Sequence, residues 1–208
     1  EGAAYFAQMN AAANYAFINR LIMSVFVRHT LAHEYGIDFP LLYDVSHNIA
    51  KVEDHEGQQM IVHRKGATRA FGPTRMKNEC SVESFHKYGQ PVLIPGSMGA
   101  SSFILAGVDN NEKSLCSVNH GAGRVMSRTE AAGKRDRKTG VLKREGKITD
   151  EQFKKSMEGI LLLCEDPTNI KSEAPAAYKD IDGVIECVVG VGLARPMARL
   201  KPLAVLKG

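Results

Sequence analysis

At 208 residues the chain is long enough to bury a substantial core as one large domain or two small ones, and 44% hydrophobic with 24% charged residues argues against a disordered or low-complexity protein. No apolar run is long enough to span a bilayer and no signal-peptide pattern opens the chain; four separated cysteines without a CxxC pair argue against a zinc ribbon or a disulfide framework, so a reducing, cytoplasmic setting fits. The net charge of +4 is mild but unevenly spread: Lys134-Arg135-Asp136-Arg137-Lys138 and Lys143-Arg144 cluster, a face for an acidic partner with nucleic acid as one candidate.

Residues 1–35 read as one Ala-rich helix, with Tyr5, Met9, Ala12, Ala13, Phe17, Leu21 and Val25 at helical spacing and few breakers before Gly36, which predicts a mostly buried helix. The chain opens inside this helix without an initiator Met, as expected for a fragment or a processed piece. Asn14, Asn19 and Arg20 interrupt the apolar pattern and read as capping or surface positions. His29 and His33, four apart, lack the glutamate of an HExxH motif and read as a solvated pair. Pro40 and Leu41-Leu42-Tyr43 predict a strand, followed by Asp44-Val45-Ser46-His47-Asn48. His47 in that setting is either a metal ligand with polar neighbours or a histidine bonded to nearby backbone.

Met60 to His63 predicts another strand, running into a basic turn, Arg64 to Arg69 around Gly66, that can hold phosphate or stand in solvent. Residues 72–90 read as a loop with short elements. Pro91 to Ile94 and Phe103 to Ala106 predict strands around the glycine and serine loop Pro95 to Ser102. Next, the apolar run Leu115 to Val118 delivers His120 to the turn Gly121-Ala122-Gly123. A helix from Arg124 to about residue 138 is expected to follow, with Arg124 and Arg128 on one face. Unpaired N–H groups at such a turn suit an anion, and an imidazole held against a phosphate can act as a nucleophile; the alternative is a strand-end histidine satisfied by backbone. Residues 140–146 are turn-rich, and Thr149 opens a helix with an acidic first turn. Ile160 to Cys164 predicts a buried strand, Glu173 to Asp180 a lead into a helix ending near Val191, and Arg199 to Lys207 a final strand with Lys207 as a frayed lysine. The predicted class is α+β, mixed β-sheets packed against long helices in one domain.

Taken in order, several motifs resemble the RtcB family of RNA ligases. They are Asp44-Val45-Ser46-His47-Asn48-Ile49-Ala50-Lys51, Val62-His63-Arg64-Lys65-Gly66-Ala67-Thr68-Arg69-Ala70, Gly89 to Gly99, His120-Gly121-Ala122-Gly123-Arg124, Glu173-Ala174-Pro175 with Tyr178-Lys179, and the closing Lys207-Gly208. Asn10 to Phe17 with Asn19-Arg20 is similar to the family's opening helix. The resemblance covers residues 1–208 as the C-terminal portion of a single catalytic domain; the upstream metal ligands and nucleotide loop of the family have no counterpart here. It implies a ligase that joins RNA 3′-phosphate or 2′,3′-cyclic phosphate ends to 5′-hydroxyl ends, using GTP and Mn2+ through a histidine–GMP intermediate, in tRNA splicing or RNA repair. It further implies that His120 is the guanylylated residue, that Gly121, Ala122, Gly123 and Arg124 surround GMP, and that His47 is a manganese ligand. Asn48, Pro95, Gly96, Ser97, Met98, Ser102, Tyr178 and Lys207 would contact the nucleotide, with Lys207 reading the guanine. Lys65, Arg124 and Arg128 would hold RNA phosphates, and the partners implied are RNA and GTP, with an activator protein as a further candidate.

A second reading comes from a different class: a GTP- or RNA-binding fragment that performs no chemistry, because His47 alone cannot hold two metal ions. A metal-dependent phosphohydrolase would need a carboxylate-rich site that the motifs do not supply. If the core is shared with an upstream segment, the Ala-rich first helix would expose apolar surface.

Overall fold

The first helix, α1 (Gly2–Tyr35), spans 34 residues and ends where Gly36 adopts the left-handed conformation (φ 65°), its N–H returning to the Ala32 carbonyl and that of Ile37 to Leu31. A computed structural model describes residues 1–136 and 138–207; Arg137 of the basic cluster and Gly208 of the closing motif lie outside the described residues. The helix is where it was expected, but it is not buried. Within it only Ala13 is buried, while Tyr15, Ile22, Met23, Phe26 and Val27 are exposed, because the apolar residues are spread around the axis and only a short stretch meets another element. His29 and His33 stack in solvent, as a solvated pair would.

Leu41 to Tyr43 form no strand; residues 36–46 are irregular and Leu42 is exposed. Regular structure resumes as β1 (Asn48–His55), paired antiparallel in full register with β2 (Gln58–Lys65), and β3 (Ala67–Arg69) follows across Gly66. Residues 72–90 are more ordered than their weak pattern predicts. They form α2 (Pro73–Glu79), with Pro at its first turn, and α3 (Glu83–Tyr88), whose Phe85 packs with Phe71 and Met76. The strands β4 (Pro91–Ile94) and β5 (Ser102–Gly107) coincide with their sequence signals. β6 is short, Ser117–Asn119, because Leu115 and Cys116 both take positive φ values and cannot extend it.

The basic helix expected over 124–138 shrinks to α4 (Arg128–Ala132). Ser127 and Glu130 form a capping box that fixes its start, and Gly133 at φ 91° stops it. Two exposed strands, β7 (Gly133–Arg135) and β8 (Leu142–Glu145), make a hairpin in place of its second half. Thr149 caps α5 (Asp150–Ser156) with Gln152 as its partner, as the sequence predicts. β9 (Leu161–Cys164) is only half covered, with Leu161 and Leu163 facing out. After α6 (Ile181–Gly190), capped by Asp180, the expected single final strand is two: β10 (Ala194–Leu200) and β11 (Ala204–Lys207), broken around Pro202. Lys207 is not frayed, since β11 pairs in parallel with β9 and sets Lys207 opposite Cys164.

The class is α+β, as the sequence predicts, with one long helix and several of five to ten residues. The core that positions everything else is the sheet β10-β5-β4 covered by α6. Val92, Ile94 and Leu105 are fully buried against Ile181, Ile185 and Val188, which recur at i, i+4 and i+7 on the helix. Each such side chain contributes roughly 1.5–3 kcal/mol by leaving water. Val118 and Ala122 belong to this same cluster. All four cysteines are free.

Candidate active site

Val118 and Ala122 bracket His120, so both flanks of the histidine are anchored in the main core while its ring is left at the surface of that core. The loop geometry follows from the glycines. Gly121 (φ 134°) and Gly123 (φ 76°) occupy conformations an L-residue rarely takes, and Asn119 holds the turn by donating from Nδ2 to the Gly121 carbonyl at 2.8 Å. Gly66 ties this loop to a second one. Its N–H donates to the His47 carbonyl at 2.8 Å, and its carbonyl accepts from the His120 N–H at 2.9 Å. One glycine therefore holds two histidines that are 73 positions apart in sequence. Their rings stack, with centroids 4.1 Å apart and planes 4° from parallel.

Both imidazoles are biased towards the neutral form. Burial lowers the His120 pKa first, with the neighbouring His47 and Arg20 adding to it, and a hydrogen bond to the Leu93 backbone acts the other way. For His47 burial again leads, followed by Arg20 and Lys65. Nδ1 of His120 is buried without a hydrogen-bond partner, and so is Oγ of Ser97 in the Pro95 loop. Unpaired buried polar atoms of this kind are costly, and a bound ligand would satisfy them.

The Pro95 loop lies close by. A Cβ on Gly121 would stand 3.6 Å from the Pro95 carbonyl, and Ser102 Oγ accepts from the Gly96 N–H at 3.1 Å. Gly99 in turn packs directly on Ser156 and Pro175. The third wall is Ser172 to Lys179: the Lys179 N–H donates to Gly123, the Val125 N–H to Ala177, and Arg124 bridges to Tyr178. Arg124 is heavily engaged within the protein, donating to the Met126 and Ser172 carbonyls, to the Tyr178 hydroxyl and to Glu173. Arg128 also reaches Glu173, at 3.0 Å. The two arginines do not share a helix face; they share a carboxylate. Burial raises the Glu173 pKa, but hydrogen bonds from Tyr178 and Arg128 and the charge of Arg124 outweigh it and keep the group ionised.

A family model described as "tRNA-splicing ligase RtcB" matches residues 1–208. The chain belongs to the RtcB family. It is 44% identical to the tRNA-splicing ligase RtcB of Archaeoglobus fulgidus and 44% identical to the RNA-splicing ligase RtcB of Mycobacterium tuberculosis, in both cases over 100% of this chain. It is 40% identical to the tRNA-splicing ligase RtcB of Methanopyrus kandleri, again over its full length. The chain spans 42%, 46% and 21% of the lengths of those three proteins.

Most residues singled out in this RtcB chain from sequence come together: His47, Lys65, the Pro95 to Ser102 loop, His120 to Arg124, Arg128 and Tyr178 form one connected neighbourhood. Asn48 opens β1 opposite Lys65. Lys207 sits on a separate two-stranded sheet, β11 with β9. The helix N-terminus expected beside the glycine turn is displaced to Ser127, so the backbone beside His120 is the turn at Gly121 and Gly123, not a helix end.

The manganese expected from the resemblance does not fit this chain alone. Among the described residues no three His, Cys, Asp or Glu side chains converge, and His47 is a single ligand where such an ion takes four or more. Nucleotide fits better, given the two orphaned polar atoms and the glycine turn.

Sequence reasoning missed three contributors. Arg20, assigned to caps or surface, pairs with Asp44 at 2.7 Å and lines a cavity of about 510 Å3 with His47, Asn48 and Lys65. Gly66 read as part of a basic turn, not as the bridge between histidines. Arg64 read as part of that turn, holding phosphate or standing in solvent, yet its side chain is buried against Glu53 and reaches Ser117 and Leu115 at the root of β6. None carries a local signal, because each partner is distant in sequence.

A Cβ on Gly96 would lie 2.1 Å from the Ser101 carbonyl. Gly96→Ala is therefore expected to push the Ser97 and Met98 segment out of place, costing about 1–3 kcal/mol in stability. A thermal melt checks it: unchanged melting would contradict the packing described.

Proposed function

We propose that residues 1–208 form one domain, the nucleotide-handling C-terminal portion of an RNA ligase, in which His120 is the nucleophile. The single observation that carries this reading is His120 itself: a half-buried imidazole, held neutral and fixed at its backbone by Gly66, with glycine backbone open beside it. GTP is the co-substrate. Ser97, Gly96, Met98, Ser102 and the Gly121 to Gly123 turn would hold its phosphates and sugar, Asn48 and Tyr178 would border it, and Lys207 would read the guanine. A neutral imidazole nitrogen attacks the α-phosphorus, a P–N bond forms, and pyrophosphate leaves with the electron pair of the broken P–O bond. The guanylyl group then passes to the RNA 3′-phosphate, releasing His120, and the 5′-hydroxyl displaces GMP from that activated end to form the phosphodiester.

Lys65 and Arg128, both exposed, are suited to RNA phosphates. Arg124 does its part indirectly in this arrangement, since its donors hold the Ser172 to Tyr178 wall against the His120 turn. His47 would serve as one ligand of Mn2+, whose remaining ligands must come from outside these residues. The reading also includes tRNA halves or broken RNA as substrate, an activator protein as a further partner and a cytoplasmic setting; among the described residues no helix is long and apolar enough to cross a membrane.

The test is incubation with α-labelled GTP and Mn2+ followed by denaturation. Label retained on the protein and labile to acid, as a phosphoramidate is, supports the reading. A protein that binds GTP reversibly but never retains label, even with the residues that complete the metal site supplied, would favour the non-catalytic alternative.

A further inference from the structure

We infer that the β7–β8 hairpin is a docking arm for the phosphate backbone of RNA, separate from the site that handles the RNA ends. This rests on the RNA-ligase reading above. Residues 133–147 carry seven Lys and Arg against Asp136 and Glu145, a net charge of +5 where the whole chain carries +4. The rest of the molecule is therefore net −1, and the basic character of this protein is the character of this hairpin.

Both strands are open to solvent: Lys134, Arg135 and all of Leu142–Glu145 are exposed. The register sets Lys134 directly opposite Arg144. Like charges facing each other across a strand pair destabilise it, and neither side chain has an acidic partner among the described residues. A polyanion laid along the hairpin would relieve that repulsion. Of the two carboxylates in the stretch, Asp136 is taken up by Lys143 and by the Lys138 and Thr139 N–H groups, and Glu145 faces Gly133 across the strands. Lys134, Lys138 and Arg144 are left to face outward.

The arm is rigid at its root. A Cβ on Gly133 would meet the Arg144 carbonyl at 2.4 Å, and one on Gly146 would meet the Ala131 carbonyl at 2.2 Å, so two glycines let the strands cross in close contact. The Lys147 and Ile148 N–H groups donate to Glu130 and Ala131, fastening the hairpin to α4, and Ala131 and Ile148 are buried with Ala174 and Ala177. That cluster also contacts Tyr178, which holds Arg124 beside the His120 turn. A backbone seated on the hairpin is thus registered against the reacting histidine through fixed structure. Phosphate contacts of this kind position a nucleic acid without reading its sequence.

The experiment compares K134Q/R144Q with K77Q/K113Q, which removes the same charge from exposed lysines elsewhere. The probe is an RNA stem-loop lacking joinable ends, titrated across a series of salt concentrations. The expected result is weaker binding and a log Kd against log salt slope reduced by about 2 in K134Q/R144Q only. An unchanged slope in that variant overturns the inference, as does an equal loss in both variants, which would make it an effect of overall charge. Preferential binding of polyglutamate over RNA would overturn it too, assigning the arm to an acidic protein. GTP labelling measured alongside, with the residues that complete the metal site supplied, keeps the outcomes apart: wild-type protein that never takes label counts against the ligase reading, while the salt slope reports on the hairpin alone.

Discussion

His120→Gln is expected to abolish covalent nucleotide labelling while leaving the fold standing. Removal of an attacking nucleophile costs on the order of 10^4–10^6-fold in turnover, which in a labelling assay is background. The fold should survive because what His120 gives to the structure is mostly its backbone: the N–H to the Gly66 carbonyl persists in any residue, and Val118 and Ala122 continue to anchor the loop. Glutamine retains polar atoms of similar reach but offers no nitrogen lone pair of imidazole character. Stability should change by no more than about 1–2 kcal/mol, measured by chemical denaturation. Label at the wild-type level in this variant would remove His120 from the chemistry.

The second large effect is expected at Arg64, a buried cation beneath the site. Its guanidinium is almost fully enclosed, donating to both oxygens of Glu53 at 2.7 and 2.8 Å, to Ser117 Oγ at 2.9 Å and to the Leu115 carbonyl at 3.0 Å. Burial raises the Glu53 pKa, yet the Arg64 bonds and charge, with His55 and Arg69, more than offset it, so the carboxylate stays ionised inside the protein. Arg64→Met leaves that charge with weaker partners, and breaking a buried pair costs about 3–5 kcal/mol. Against a total stability of roughly 5–15 kcal/mol this is severe. The paired replacement E53L/R64M should recover part of the loss, since apolar residues can replace a buried ion pair. A single-variant loss under about 1 kcal/mol would contradict this account. Because Leu115 and Cys116 hold left-handed conformations just where Arg64 grips, the same variant should also loosen β6 and lower His120 labelling in the fraction that remains folded.

Where the signal was local, the sequence was enough. The long helix before Gly36, the cap at Thr149 and the strands read at Pro91 to Ile94 and Phe103 to Ala106 all depend on residues within a few positions of one another, and all are present, the second strand one residue longer at each end. The misreadings share a cause. Arg124 to Ser127 has helical propensity, but pairing with Ala177 to Lys179 and the Ser127 cap delay the helix by four residues. Leu41 to Tyr43 have strand propensity and no strand partner, and α1 has an apolar composition and no apolar partner among the described residues to bury it.

The sequence by itself determined the family, the ordered motifs and the histidine proposed here as the nucleophile, because that side chain and the glycines that give it room are contiguous. Only the tertiary structure decided how His47 meets His120, why Arg124 and Arg128 converge on Glu173, and that Arg64 supports β6 from within. Those contacts join residues up to 73 positions apart, and each is made by a backbone carbonyl, a carboxylate or a ring face that no local pattern can assign to its partner before the chain has folded.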